Sequence, residues 1–261
     1  MRFKITIQPD NEKGDIILPM NYQYELSSFI YRTINRGNSD LAQWLHERGF
    51  IKDNKTFKLF TFSGLTIPKY KVYDDRLIIL SDEISFVLSF FPVELTESFV
   101  FGIFRDKGFS IGDKKSKARF TIKGIERLID PSSFNSMELE TLSPIVITTK
   151  NQSNVKHPVY LSPEDEGYKD KFRENLMNKF IAYNSYYQKE VSLDNIKDFD
   201  LQVLSKPKSK LVTIKVGTPA EVKVRGFQFR LRVSGPPDLI KTGYYAGFGE
   251  KNSMGFGCCG G

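Results

Sequence analysis

Two histidines, His46 and His157, are the only side chains of this sequence whose ordinary pKa lets them exchange a proton near neutral pH. His46 follows the apolar Leu45 in a short amphipathic stretch, with Tyr31 on the helical segment before it and Lys52 in a loop beyond Gly49. At 100° per residue, Tyr31 falls roughly 125° from the centre of the Leu26, Phe29, Ile30 and Ile34 stripe, so its hydroxyl points to the helix flank and can face a groove. General acid–base work is the chemistry an imidazole there could do. On residue type alone each position also has a plain structural role: His46 as a solvated side chain, Tyr31 as an amphipathic flank, and Lys52 as one charge of Lys52-Asp-Asn-Lys55. His157, before Pro158 in an irregular segment, reads as structural or solvent-facing. The dense carboxylates, Asp74-Asp75 and Glu164-Asp165-Glu166, sit beside turn residues without a histidine partner and read as exposed loops; no metal site and no cofactor is expected. Cys258 and Cys259 are adjacent, which excludes a disulfide framework and a cysteine zinc site.

Two further features point to an anionic partner. From Lys206 to Arg232 there are eight basic residues and one acid, Glu221, an excess equal to the net charge of +7 for the whole chain. Such a strip, with Lys206, Lys208, Lys210, Arg230 and Arg232 among its members, is the electrostatic footprint of a polyanion or else a solubilising face. In the stretch Phe227 to Val233, Phe227, Phe229, Leu231 and Val233 alternate with Gln228, Arg230 and Arg232, which predicts one core face and one basic face. The second feature is the tail Gly243 to Gly257, whose Gly247, Gly249, Gly255 and Gly257 exceed what a tight connection needs. It is neither a dinucleotide fingerprint nor a phosphate-binding loop of the Gly-Lys-Ser/Thr type. Glycine permits close backbone approach and consecutive amides form an anion nest, so the loop suits a phosphate backbone, with Lys251, Asn252 and Ser253 beside it.

The elements that must position these residues are legible in outline. A chain of 261 residues, 40% hydrophobic and 13% aromatic, can bury two ordinary cores. The start alternates apolar and polar residues, and the longest uncharged apolar run, Ile84 to Val93, is too short to span a bilayer, which predicts a cytoplasmic protein. The first half reads as a strand at Phe3 to Ile7, a helix capped by Ser27 or Ser28 and stopped by Gly37, and a second helix capped by Asn38 or Ser39 and ended by Gly49. Strands at Thr56 to Phe62, Leu77 to Leu80 and Ile84 to Phe91, a helix after Pro92 and a strand at Arg119 to Leu128 follow. Asp130 to Ser136 is turn chemistry and sets the expected boundary between domains 1–130 and 131–261. A similar order then repeats: a strand at Ile145 to Thr149, a helix carrying Phe172, Leu176, Phe180, Tyr183 and Tyr187, strands at Phe199 to Leu204, Leu211 to Val216 and Val222 to Val233, and a short helix from Pro237 to Tyr245. The expected class is α+β, two tandem ferredoxin-like βαββαβ units with a C-terminal glycine-rich loop.

This arrangement resembles the CRISPR repeat-processing endoribonucleases of the repeat-associated RAMP superfamily over nearly the full length. The segment Gly247-Phe-Gly-Glu-Lys-Asn-Ser-Met-Gly-Phe-Gly257 carries the resemblance most strongly, and Asn21-Tyr-Gln-Tyr24 and Leu142-Ser-Pro-Ile145 look like that family too. After Gly257 the sequence reads Cys-Cys-Gly-Gly, where the family usually runs into an apolar strand. The resemblance implies cleavage of repeat RNA into guide units without a metal, leaving a 2′,3′-cyclic phosphate and a 5′-hydroxyl. By position it implies a catalytic Tyr31, His46 and Lys52, with repeat RNA as partner. An effector complex or a homodimer is compatible with it, and the rival reading is a non-catalytic RNA-holding subunit of such a complex.

Overall fold

The computed structural model describes residues 1–10, 15–149, 158–191 and 198–261, so His157 lies outside the described residues. The alternation at the start forms β1 (Arg2–Pro9), with Phe3, Ile5 and Ile7 buried. It is followed by β2 (Ile16–Pro19), α1 (Gln23–Gly37), α2 (Ser39–Glu47), β3 (Phe50–Lys52), β4 (Lys55–Phe57), β5 (Phe60–Phe62), β6 (Tyr70–Tyr73), β7 (Arg76–Ile79), β8 (Ile84–Phe90), α3 (Val93–Arg105), β9 (Gly108–Gly112) and β10 (Lys117–Arg127). The main sheet has the order β5-β8-β1-β10-β9, and its pairs are antiparallel. Without the edge strand β9, the series β1-α1-β5-β8-α3-β10 places its strands in the spatial order second, third, first, fourth. Phe29 and Ile30 of α1 and Leu95 and Phe99 of α3 join the buried side chains of this sheet in one core.

The same order recurs in the second half, built from β11 (Ser136–Thr141), β12 (Thr148–Thr149), β13 (Val159–Tyr160), α4 (Tyr168–Tyr186), β14 (Asp200–Val203), β15 (Lys208–Ile214), β16 (Val222–Gln228), β17 (Arg230–Ser234), α5 (Pro237–Ala246) and β18 (Cys259–Gly260). Its sheet runs β14-β17-β11-β18, again second, third, first, fourth. The first strand is therefore Ser136–Thr141, one segment earlier than the apolar run at Ile145 suggests; that run makes a single bridge, Ile145 to Phe227, and leads into the short β12. The expected strand Val222 to Val233 is broken at Phe229 into β16, which forms a hairpin with β15, and β17, which sits in the main sheet. The residues after Gly257 do form a strand, β18, two residues long against Glu140 and Thr141.

Local detail departs from expectation at the start of α1, which begins at Gln23, one turn before Ser27 and Ser28, with no side-chain cap. Asn38 caps α2 as expected, its Oδ1 accepting from Leu41 N at 3.0 Å. Gly37 lies inside α1 and is required by a neighbour: a Cβ there would stand 1.8 Å from the Ser98 carbonyl oxygen of α3, as one at Gly102 would stand 1.9 Å from that of Thr33. The halves are joined by Arg2, buried at 2% exposure, whose guanidinium lies 4.1 Å from the Tyr244 ring centroid, and by Ser89 Oγ donating to Tyr245 O at 2.8 Å. Among the described residues no helix is long and apolar enough to cross a membrane.

The backbone contact at Gly102 cannot relax by a rotamer change. Gly102→Ala is expected to destabilise the protein by about 1–3 kcal/mol, the usual range for overpacking, measured by thermal or urea unfolding; an unchanged midpoint contradicts this account of the α1–α3 crossing.

Candidate active site

Tyr31 and His46 come together. Their rings are 6.1 Å apart, centroid to centroid, at 82°, and they line a groove of about 320 Å³ with Arg32, Asn35, Gln43 and Glu47. Tyr31 is on the flank of α1, its ring edge-on to buried Phe60, and His46 is exposed in the last turn of α2. Burial pushes the Tyr31 hydroxyl up to about 12, against the smaller opposing influence of the Ser253 side chain. The phenol is therefore protonated at neutral pH and can donate a hydrogen bond.

Lys52 is not brought to this groove. It ends β3, not a loop, and its Nζ pairs with Asp53 at 2.6 Å at the head of a hairpin whose Asp53 and Asn54 both have positive φ, 48° and 61°. The lysine that does meet α2 is Lys58, which the sequence did not single out. Its Nζ donates to the carbonyls of Leu45 and His46, the latter at 2.9 Å, and so caps the helix end that carries the imidazole. Arg32, also missed, brings a guanidinium to the rim of the groove. No sequence signal marks Lys58, because a helix capped from the β4–β5 connection thirteen residues away has no local pattern; Arg32 could have been found from its place beside Tyr31.

The glycine-rich loop is held inside the fold, and its glycines have a different cause from the one expected. A Cβ at Gly249 would meet Val146 O at 2.5 Å, and one at Gly255 the Phe62 ring at 2.7 Å, with φ of +69° and +86° at the two positions. Several of the amides expected to form a nest already have acceptors: Gly247 N bonds Gly243 O, Glu250 N bonds Val146 O, Gly255 N bonds Asn252 O and Gly257 N bonds Pro144 O. Asn252 is buried and bridges the loop's two arms, its Nδ2 donating to Phe248 O at 3.1 Å and Phe256 O at 3.0 Å. Lys251 stays exposed. Ser253 meets α1, its carbonyl accepting from Ser27 Oγ at 2.6 Å.

Beneath the loop lies Lys179 of α4, 2% exposed, its Nζ donating to Gly247 O and Gly249 O at 2.6 Å each. Burial lowers it to about 7, while Glu250 nearby favours the charged form. It shares a helix face with the predicted Phe172 and Leu176, so the apolar periodicity concealed it.

The basic strip separates into two parts. Arg232 binds the Glu138 carboxylate and Gln202 Oε1, the latter at 3.1 Å, and Arg230 lies 3.8 Å from Glu138; the register also sets Glu140 against Arg230. That face is charge-balanced, not basic. Lys206, Lys208 and Lys210 are exposed on and before β15, and Lys223 and Arg225 on β16.

The class is that of a mixed α+β protein with antiparallel sheets and a tyrosine–histidine groove between α1 and α2. The sequence matches the family models for the CRISPR-associated protein Cas6 N-terminal region over residues 17–126 and its C-terminal region over residues 128–260. It is 31% identical to a CRISPR-associated endoribonuclease Cas6 of Methanocaldococcus jannaschii, covering 98% of this chain and 91% of that one, and 30% identical to one of Pyrococcus furiosus, covering 98% and 88%. A solved structure from a Cas6-related gene of Pyrococcus furiosus superposes with a TM-score of 0.79 at 28% identity, covering 100% of this chain and 97% of that one. The chain belongs to the Cas6 family and is an endoribonuclease.

Two outcomes check this site. Gly249→Val is expected to lose folded protein, read by thermal unfolding and not by RNA affinity alone; a stable fold with weak RNA binding would restore the exposed-nest explanation. For Lys179, the unfolded chain holds its proton up to the ordinary value of 10.5 while the folded chain releases it at about 7. Stability of the wild type relative to Lys179→Met should therefore rise with pH between about 7 and 10 and be flat below; a difference independent of pH contradicts the burial of the ammonium.

Proposed function

We propose that this endoribonuclease cuts CRISPR repeat RNA in the groove between α1 and α2 by attack of a 2′-hydroxyl on the adjacent phosphorus, with His46 as its proton-exchanging group. The new bond joins O2′ to phosphorus and the bond to O5′ breaks, giving a 2′,3′-cyclic phosphate and a 5′-hydroxyl. One proton must leave O2′ and one must reach O5′, and the imidazole at the groove carries one of these transfers. Tyr31, protonated at neutral pH, donates a hydrogen bond, and Arg32 supplies charge for the anionic transition state. The observation that carries this reading is the pairing of Tyr31 and His46 in one groove, 6.1 Å apart. Lys52 enters the proposal only through its side chain leaving Asp53 and turning toward the groove.

Two ferredoxin-like units are proposed, divided at 130/131, with the strand order of the two main sheets in support. The protein is proposed to work in the cytoplasm. RNA phosphates are proposed to track Lys206, Lys208 and Lys210, with the loop residues Lys251 to Ser253 beside the groove.

Purified protein with labelled repeat RNA and a chelator is expected to give a single cut, and a substrate with a 2′-deoxy sugar at the cut position should bind and stay whole. His46→Ala should lower the rate by about 10² to 10⁴ with binding within a few-fold. Cutting of the deoxy substrate or a requirement for Mg²⁺ overturns the mechanism, and full activity in His46→Ala overturns the assignment of the imidazole. Replacing Lys208 and Lys210 by Ala should shallow the salt dependence of RNA affinity, which runs at about −0.7 per single-stranded phosphate on log axes, and replacing Arg230 and Arg232 should change it less; the reverse ranking contradicts the division of the strip.

A further inference from the structure

No hydrogen bond fixes the imidazole of His46: among the described residues neither ring nitrogen has a partner, and the ring meets only the edge of Tyr31. Its direction therefore depends on the main chain beneath it, the last turn of α2. That helix has nine residues, too few to be stable by itself in water. At its end the main chain runs out of donors. Arg48 N and Gly49 N both bond Trp44 O, at 2.8 and 2.9 Å, and among the described residues no main-chain N–H reaches the carbonyls of Leu45 and His46. Lys58 Nζ donates to both, to the His46 carbonyl at 2.9 Å.

The surroundings of Lys58 aim it at this helix end. Its neighbours Phe57 and Leu59 are buried in one cluster with Phe50, against which Trp44 of α2 packs, and Leu59 takes a left-handed φ of 51°. The lysine stem passes Gly49, where a Cβ would stand 3.2 Å from Lys58 Cδ and 2.7 Å from Phe57 O. The ammonium is half-buried, has no carboxylate partner among the described residues, and is lowered from its ordinary value of 10.5 by that burial. The two carbonyls are its only partners, so the cost of burying the charge is offset there alone.

We propose that Lys58 is a positioning residue for cleavage: by bonding the carbonyls of Leu45 and His46 it keeps the last turn of α2 wound and the imidazole beside Tyr31, without touching the reacting atoms itself. The inference rests on the reading of His46 as the proton-exchanging group and deepens it. Proton transfer needs its atoms within hydrogen-bond reach, and a misplacement of about 1 Å can cost on the order of 10² in rate. One turn of helix rises about 5.4 Å, so unwinding it carries the ring well beyond that tolerance.

The test compares Lys58→Met and Lys58→Gln, which remove the charge, with Lys58→Arg, which restores it, and with Asn38→Ala, which weakens the opposite end of α2. Three quantities are read on variants shown by thermal unfolding to be folded: the single-turnover rate at saturating repeat RNA, the RNA affinity, and the nuclear Overhauser contact between the His46 and Tyr31 rings. The chain has two histidines, so the His46 ring signal is assigned by its loss in His46→Ala. Removing the charge is expected to slow cutting about 10- to 10²-fold, to leave affinity within a few-fold and to weaken the ring contact. Lys58→Arg should restore both rate and contact, and Asn38→Ala should lower the unfolding midpoint while leaving both near the wild type. An unchanged ring contact in the uncharged variants, a loss confined to RNA affinity, or equal slowing by Asn38→Ala overturns the proposal. If His46→Ala cuts like the wild type, it is the assignment of the imidazole that fails, and the ring contact still reports whether Lys58 places it.

Discussion

The ammonium of Lys179 reaches from the interior of α4 to the carbonyls of Gly247 and Gly249, 2.6 Å from each, and holds the C-terminal loop where it turns off α5. The carbonyls at this turn point inward, away from water, and without a donor both would be buried unsatisfied. The rest of the loop follows from that anchor. Glycine is required where the loop presses on Val146 and Phe62, and Asn252 ties its two arms together. The loop then places Lys251 and Ser253 on the wall of a larger cleft, between the β3–β4 hairpin and α4, with the Ser253 carbonyl held by Ser27 of α1. A lysine buried for this purpose has its ammonium destabilised by loss of water, which is why it falls to about 7.

This arrangement makes the site a joint product of both halves of the chain. Tyr31 and His46 are contributed by α1 and α2, but Ser27 of α1 bonds the carbonyl of Ser253, and Thr61 of β5 bonds the carbonyl of Phe256 at 2.9 Å. Lys58 closes the far end of α2. The buried Arg2, stacked on Tyr244 and donating to the Tyr244 carbonyl at 3.3 Å, makes the two sheets one body on the side away from the groove.

Much of the framework was legible because it rests on periodicity. Phe3, Ile5 and Ile7 marked β1, the stripe from Leu26 to Ile34 marked α1, and Asn38 with Gly49 bracketed α2. What failed were places where distant contacts override local signals. Ser27 looked like a cap because of its residue type, yet it sits inside the helix and serves Ser253. The strand Ser136–Thr141 was hidden because Glu138 and Glu140 alternate with Leu139 in a stretch flanked by turn residues. Arg230 and Arg232 looked like a basic face because their neutralising partner, Glu138, is nearly a hundred residues earlier. At the site, Tyr31 and His46 could be paired from helix geometry, whereas the roles of Lys58 and Lys179 depend on carbonyls brought to them by the fold.

The central claim is that the loop of the second half builds the groove of the first through Ser253 and Tyr31. A double-mutant cycle on the single-turnover cleavage rate tests it most directly, using Ser253→Ala, Tyr31→Phe and the pair. If the Ser253 side chain acts through the Tyr31 hydroxyl, Ser253→Ala should slow the wild type several-fold and add nothing once Tyr31 is Phe. Independent effects that multiply in the double variant would contradict it, leaving Ser253 as an RNA contact and the groove as the work of α1 and α2 alone.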